Sequence, residues 1–140
     1  MKNHFVVIDT NVLVSGLLGR NSSSPTVGIL NHLLTSKEVI TPLYCEEIFQ
    51  EYENVLHREK FNFDQDEVEE VLKRIKDIGI SSPRILSKTY FPDPKDVVFY
   101  EVALSKDDSF LVTGNIKHFP EVDFVVSPAE LVEIIKRDLG

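Results

Sequence analysis

Three acidic residues lie where carboxylates could carry out chemistry, namely Asp9, Glu51 and Asp96. Asp9 directly follows the apolar run 4–8, a pattern typical of a strand that is covered on both faces. It can cap the helix that follows, or it can stand free at the carboxyl end of the strand, where ligands bind in α/β sheets. Asn11 could supply the cap by itself, which would leave Asp9 available for function. Position alone leaves both roles open.

Glu51 belongs to the segment 44–57, whose apolar residues form one stripe of an amphipathic helix. It lies at the edge of that stripe, beside Ile48 and Val55 on a helical wheel. A carboxylate at this border either extends into water or points into a cleft. Considered from this helix alone, the first role is the simpler one.

Asp96 lies in a helix that we expect to begin at Asp93-Pro94 and to run to about Lys106. It precedes the inward-facing Phe99 by about one turn, on the same face. The alternative role is that of a capping acid at the third helical position, but Asp93 already provides a cap. Because a carboxylate above an apolar face is costly unless it is paired, we interpret Asp96 as functional.

Together the three acids predict a metal site. Crowded carboxylates repel one another and take up protons unless a cation lies among them. An all-oxygen ligand set suits Mg²⁺ or Mn²⁺. The single Cys45 and the scattered histidines offer no zinc-binding pattern.

The elements that must position these acids alternate between strand and helix. Strands are expected at 4–8, 39–40 (ended by Thr41-Pro42), 84–86, 109–113 and 124–126. Helices are expected at 12–18, from Pro25 onward, and at 44–57, 64–78 (between Asp64 and Gly79), 93–106 and 129–137. This order predicts an α/β fold, a three-layer α/β/α sandwich with a central, mostly parallel sheet. We expect one domain over residues 1–140.

Composition narrows the class of protein. The chain has 140 residues, of which 42% are hydrophobic and 27% are charged, as in ordinary globular proteins. One cysteine cannot form an internal disulfide, so a cytoplasmic location is expected. There is no apolar run of the roughly 20 residues that a membrane helix needs, and no secretory signal is recognisable.

The net charge of -8 and the pI of about 4.9 argue against binding to nucleic acid, because phosphate contacts favour Lys and Arg. Two considerations weaken this objection. A bound metal would add positive charge that the sequence count omits. Several acids also cluster in 64–70, which reads as an exposed helix face.

Four motifs, in order, resemble those of the PIN-domain family, in particular its branch of toxins from toxin–antitoxin pairs. The first is Val7-Ile8-Asp9-Thr10-Asn11-Val12-Leu13, and the second is the segment 51–56, which begins with Glu51. The third is Asp93-Pro94-Lys95-Asp96, followed seven residues later by Ala103. The fourth is Leu111-Val112-Thr113-Gly114-Asn115, and the likeness extends to 127–131.

The resemblance implies a Mg²⁺- or Mn²⁺-dependent ribonuclease whose metal ligands are Asp9, Glu51 and Asp96. RNA is then the substrate, and an antitoxin protein is an expected partner. Many family members carry a fourth acid where this chain has Asn115, which puts a second metal in doubt. Asn115 would then act as a catalytic-site amide, with Asn11 and Thr113 as supporting groups.

The cationic residues that could bind phosphate are Arg20, Arg58, Lys95 and Lys117. The alternative for each is an ordinary charged side chain on the surface. Two other functions stay open. One is a phosphatase with Asp9 as nucleophile, although such enzymes usually need a second acid where Asn11 stands. The other is an inactive acidic pocket that binds a metal or a partner protein. Homodimerisation through the helix at 44–57 is a further expectation, although apolar stripes serve the core first.

Overall fold

A computed structural model describes residues 3–35 and 39–139. The strands are β1 (His4–Ile8), β2 (Ile40–Tyr44), β3 (Ile80–Ser81), β4 (Ser109–Val112) and β5 (Val125–Val126). The helices are α1 (Thr10–Leu18), α2 (Pro25–Leu34), α3 (Glu46–Leu56), α4 (Gln65–Ile78), α5 (Val97–Ala103) and α6 (Pro128–Leu139). Short 3-10 turns occupy Glu59–Phe61, Pro94–Asp96 and Ile116–His118.

The strands form one parallel sheet in the order β3-β2-β1-β4-β5. β1 lies at its centre, paired with β2 on one side and with β4 on the other. Helices pack against both faces, so the molecule is a three-layer α/β/α sandwich, which confirms the predicted fold class. Because all strands are parallel, the residues that follow β1, β4 and β5 share one edge of the sheet.

The core explains the apolar run of β1. Val6, Val7 and Ile8 have no exposed surface, because helices cover both faces of the strand. Two large aromatic side chains, Tyr52 of α3 and Phe99 of α5, are also fully buried and lie 6.5 Å apart between ring centres. Helix α3, which carries Glu51, and helix α5, which directly follows Asp96, are therefore packed to each other through the core.

The predicted end of the second strand at Thr41-Pro42 is wrong. β2 continues through Pro42 to Tyr44, and α3 begins only at Glu46. β3 pairs with β2 only at Leu43 and Tyr44, so Pro42 lies where that side of β2 is still an edge. Edge positions are where a sheet tolerates proline, which has no N–H to donate.

The strand expected at 84–86 is also wrong, because the edge strand is β3, a few residues earlier. The backbone N–H of Ile85 donates to the carbonyl of Glu101 in α5 at 3.0 Å, and not to a strand. Leu86 is 86% exposed, so the apolar triplet does not mark a buried strand. The side chain of Arg84 is instead the feature that holds this segment in place.

The helix expected over 93–106 is shorter and has two parts, the 3-10 turn Pro94–Asp96 and α5, which ends at Ala103. The limits of β1 are as predicted, and the remaining helix and strand ends lie within two residues of expectation. The limits of α4 are confirmed, because Asp64 accepts hydrogen bonds from the N–H groups of Asp66 and Glu67, and Gly79 follows the last turn. No helix in the described ranges is long and apolar enough to cross a membrane.

Candidate active site

Asp9 lies at the carboxyl end of β1 and is only 6% exposed. Its backbone N–H donates to the carbonyl of Val112 at 3.0 Å, which fixes it beside the end of β4. Its Oδ2 accepts hydrogen bonds from the Thr113 hydroxyl at 2.8 Å and from the Asn11 amide at 3.2 Å. Two neutral donors therefore orient this carboxylate.

Asn11 does not cap α1, contrary to expectation, because it lies inside the helix, which begins at Thr10. Asp9 occupies the N-cap position, and its side chain makes no capping hydrogen bond either. The side-chain oxygen of Asn11 accepts from the N–H of Gly114 at 3.1 Å. Asn11 thus links Asp9 to the loop that follows β4.

Glu51 points from α3 toward the start of α1. Its Oε2 accepts a hydrogen bond from the hydroxyl of Thr10 at 2.6 Å. The neighbouring Tyr52 donates to the carbonyl of Ile8 at 2.5 Å, which ties α3 to the end of β1. The boundary glutamate therefore faces the site and not the solvent side of the helix.

Asp96 ends the 3-10 turn that precedes α5, and its side chain is 14% exposed. The ring nitrogen Nδ1 of His118 lies 3.4 Å from Asp96 Oδ2, without the alignment of a hydrogen bond. Among the described residues, this buried oxygen has no hydrogen-bond donor. Asp93 provides the local cap, as expected, by accepting from the N–H of Lys95 at 3.0 Å.

The three carboxylates act on one another electrostatically. Burial raises the pKa of Asp9 to about 6, and the charges of Asp96 and Glu51 add to the rise, against the hydrogen bond from Thr113. The pKa of Asp96 is also raised, first by burial and then by Asp93, while His118 opposes the shift. These shifts are typical of acids crowded into a partly dry site.

Thr113 and Asn115 lie at the end of β4, as the motif predicted. Thr113 has no exposed surface, and its hydroxyl oxygen accepts from the backbone N–H of Asn115 at 2.9 Å. The same hydroxyl donates to Asp9, so it links the position of the loop after β4 to the orientation of the Asp9 carboxylate. Asn115 itself is exposed beside the site.

The four candidate phosphate-binding cations are distributed differently around the site. Arg20 is held by Glu67 at 3.3 Å and by Asn31 at 2.7 Å, on the side of α2 and α4. Arg58 and Lys95 are exposed. Lys117 lines a cavity that Thr113 also lines, next to the acids.

A family model described as PIN domain matches residues 5–117, which include all four motifs. The chain belongs to the PIN-domain family. Comparisons with curated proteins and with solved structures gave no match. The family has a nuclease-type fold, and its members generally are metal-dependent nucleases.

The acids of this PIN domain have the ligand chemistry of a divalent-cation site, but among the described residues they do not form a preformed one. Their oxygens are the donors that Mg²⁺ and Mn²⁺ prefer, and Asp96 Oδ2 is a buried acceptor with no hydrogen-bond donor in the part of the chain that the structure describes. Within the described ranges, no three Asp, Glu, His or Cys side chains form a group that could hold a metal as they stand. The donor chemistry of the acids therefore fits Mg²⁺ or Mn²⁺, whereas their arrangement among the described residues is not a preformed metal site.

Two contacts of the PIN domain were not foreseen. The hydroxyl of Thr10 donates to Glu51, and the place of Thr10 inside the first motif was the available signal. His118 was noted only as one of four scattered histidines, and it lies beside Asp96. Nothing in its sequence spacing indicates that contact, because 22 positions separate the two residues in the chain.

Proposed function

We propose that this PIN domain is a metal-dependent endoribonuclease, with Asp9, Glu51 and Asp96 as ligands of Mg²⁺ or Mn²⁺. The observation that carries the proposal is the convergence of these carboxylates from three separate elements at one edge of the sheet. Each of the two aspartates feels the charges of other acids in the cluster. In a chain of the PIN-domain family, such a cluster supports a nuclease site.

A divalent cation would remove the electrostatic cost of this arrangement. Buried carboxylates with raised pKa values gain most from a positive charge placed among their oxygens. Asp9, Glu51 and Asp96 would hold such an ion, which would supply Lewis-acid chemistry and activation of water for phosphodiester hydrolysis.

The residues of the chain itself hold and orient the ligands. Thr113 and Asn11 fix Asp9 by their hydrogen bonds, and Thr10 fixes Glu51. Such neighbours of ligands set the ligand orientation and its basicity. Asn115 supplies a neutral amide at the rim, where it would position water or RNA without adding negative charge.

Cleavage of a labelled single-stranded RNA in Mn²⁺ tests the proposal. Asp9→Asn and Asp96→Asn are each expected to reduce cleavage by at least about a hundredfold, the order of magnitude for removal of one group on which electrostatic stabilisation of the transition state depends. Asp107→Asn, which changes an exposed acid outside the cluster, is the control and retains full activity. Full activity of both cluster variants, with folding verified by circular dichroism, would reject the assignment.

The resemblance to toxins supports a more specific role, in which the chain degrades cellular RNA and an antitoxin protein neutralises it. Growth of cells that express the wild-type chain is expected to stop, while cells that express Asp9→Asn grow normally. Co-expression of a neutralising partner would restore growth. Arrest by both forms, or tight binding of a partner by a chain that cuts no RNA, would favour the inactive partner-binding module instead.

A further inference from the structure

A cavity of about 360 Å³ opens next to the acids, at the carboxyl ends of β4 and β5. Its lining includes the loop after β4, with Asn115, Ile116, Lys117 and His118, and it reaches Pro128 at the start of α6. The volume lies in the range of about 300–1,000 Å³ that is usual for small-ligand sites. The cavity is therefore large enough for a small planar ligand.

Two residues that line the cavity also contact acids of the carboxylate cluster. Thr113 lines the cavity and donates its hydroxyl to Asp9 at 2.8 Å. His118 lines it as well, and its ring lies 3.4 Å from Asp96 Oδ2. A ligand in the cavity would consequently lie next to a phosphate group bound at the carboxylate cluster.

We propose that this cavity holds one unpaired base of the RNA strand, adjacent to the phosphate that is cut. The inference rests on the proposed function and names the feature of the substrate that the site selects. An unpaired base is required because a base stacked and paired in a duplex cannot enter a side pocket.

The lining suits a base in its chemistry. Ile116, which is 37% exposed, and Pro128 offer an apolar surface, and the ring of His118 offers a flat one. Unpaired bases in protein–RNA complexes stack on such rings and hydrogen-bond through their edges. The amide of Asn115 can both donate to and accept from a base edge.

The surrounding charges favour a base and not a phosphate inside the cavity. The N-terminus of α6, which would otherwise attract an anion, carries Glu130, whose Oε1 accepts from the N–H of Ser127 at 2.9 Å. That carboxylate opposes a phosphate at the helix end. Lys117 is exposed and lines the cavity, so it is placed to contact the phosphate of the bound nucleotide from outside.

The test measures RNA binding separately from cleavage. Fluorescence anisotropy with single-stranded homopolymers of A, C, G and U is recorded in Mg²⁺, with Asp9→Asn as the common background so that the RNA stays intact. Ile116→Ser is expected to weaken binding by about fivefold to tenfold, the effect of losing the apolar contact of about one or two CH₂ groups. It is also expected to reduce the difference in affinity among the four homopolymers.

Lys117→Ala is expected to weaken binding of all four homopolymers by the same factor. It should also reduce the slope of log affinity against log salt concentration by about 0.7, as expected for one phosphate contact on a single strand.

The matched controls are Ile80→Ser and Lys88→Ala. Ile80 is 44% exposed on β3, at the opposite edge of the sheet from the cavity, and Lys88 is exposed and does not line it. Both controls are expected to bind like the background protein.

Three results would overturn the inference. They are no binding of any homopolymer, equal effects of Ile116→Ser and Ile80→Ser, and binding of duplex RNA as tight as that of single strands. Equal binding of single-stranded DNA would overturn the assignment to RNA. Failure of the proposed nuclease function has a different signature, namely cleavage of the RNA by the Asp9→Asn background or no cleavage by the wild type.

Discussion

Burial makes the negative charge of Asp9 unfavourable for folding. Its pKa in the folded protein is about 6, against 3.8 as the ordinary value, and burial is the main cause. Because the folded state holds the Asp9 proton more tightly than the unfolded state does, protonated Asp9 contributes stability, and this contribution is fully present below about pH 4. That contribution is lost as the pH rises through about 6.

Asp9→Asn is therefore expected to raise the free energy of unfolding of the metal-free protein at pH 7–8, by about 1–3 kcal/mol. The asparagine oxygen can still accept from Thr113, so the gain comes from removal of the charge. Urea unfolding in EDTA between pH 4 and 8 measures it. The difference from wild type should grow up to about pH 6–7 and then level off; a difference that is constant with pH would contradict the explanation.

Thr113 is the residue on which the orientation of Asp9 depends. Thr113→Val keeps the shape of the buried side chain but removes the hydroxyl that donates to Asp9 and accepts from Asn115. We expect a loss of about 1–3 kcal/mol in the free energy of unfolding, since both partners lose a hydrogen bond. Thr113→Ser, which keeps the hydroxyl, is the matched control and should lose less.

At the scale of secondary-structure elements, Arg84 joins α3, which carries Glu51, to α5, which directly follows Asp96. Its guanidinium binds Glu47 of α3 through Nη1 at 2.8 Å and Glu101 of α5 through Nη2 at 2.7 Å. Glu101 is only 3% exposed. Burial opposes its ionisation, but the N–H of Ser87 and the charge of Arg84 outweigh burial and lower the pKa of Glu101.

Arg84→Met is expected to lower the free energy of unfolding by about 2–3 kcal/mol. Breaking a buried ion pair usually costs about 3–5 kcal/mol, and the partial exposure of Arg84 reduces that cost. Glu47→Ala is the control, because it breaks only the exposed half of the arrangement and should cost about 0–1 kcal/mol. Equal losses in thermal or urea unfolding would show that Glu101 does not depend on Arg84.

The sequence predicted those elements whose signals are local. The continuous apolar runs of β1 and β4 and the Asp64 and Gly79 limits of α4 were correct, because burial on both faces and capping leave a direct pattern. The two-residue strand β3 and the hydrogen bond from Thr10 to Glu51 were not predicted. Both are set by tertiary contacts between distant segments, and single-sequence patterns do not report those contacts.

At the scale of the whole molecule, the net charge of -8 and the acid cluster both favour binding of cations. Mn²⁺ at about a hundred times its Kd is expected to raise the free energy of unfolding by about 2.7 kcal/mol. Asp9→Asn and Asp96→Asn should each lose most of the corresponding shift in Tm, whereas Asp66→Asn, an exposed acid on α4, should retain it. NaCl at matched ionic strength is the control that separates general charge screening from specific binding of Mn²⁺. An equal shift of Tm in NaCl would argue against a specific site.

The contact between His4 and Asp138 has a practical consequence for experiments that attach something to the chain. Nε2 of His4 at the start of β1 lies 2.7 Å from Oδ2 of Asp138 near the end of α6, so these two distant positions meet at one place. The carboxylates lie at the other end of β1, whose five residues span roughly 16 Å. A dye or surface tether attached beside His4 or Asp138 would lie at the amino end of β1 and leave the carboxylates at its other end unobstructed.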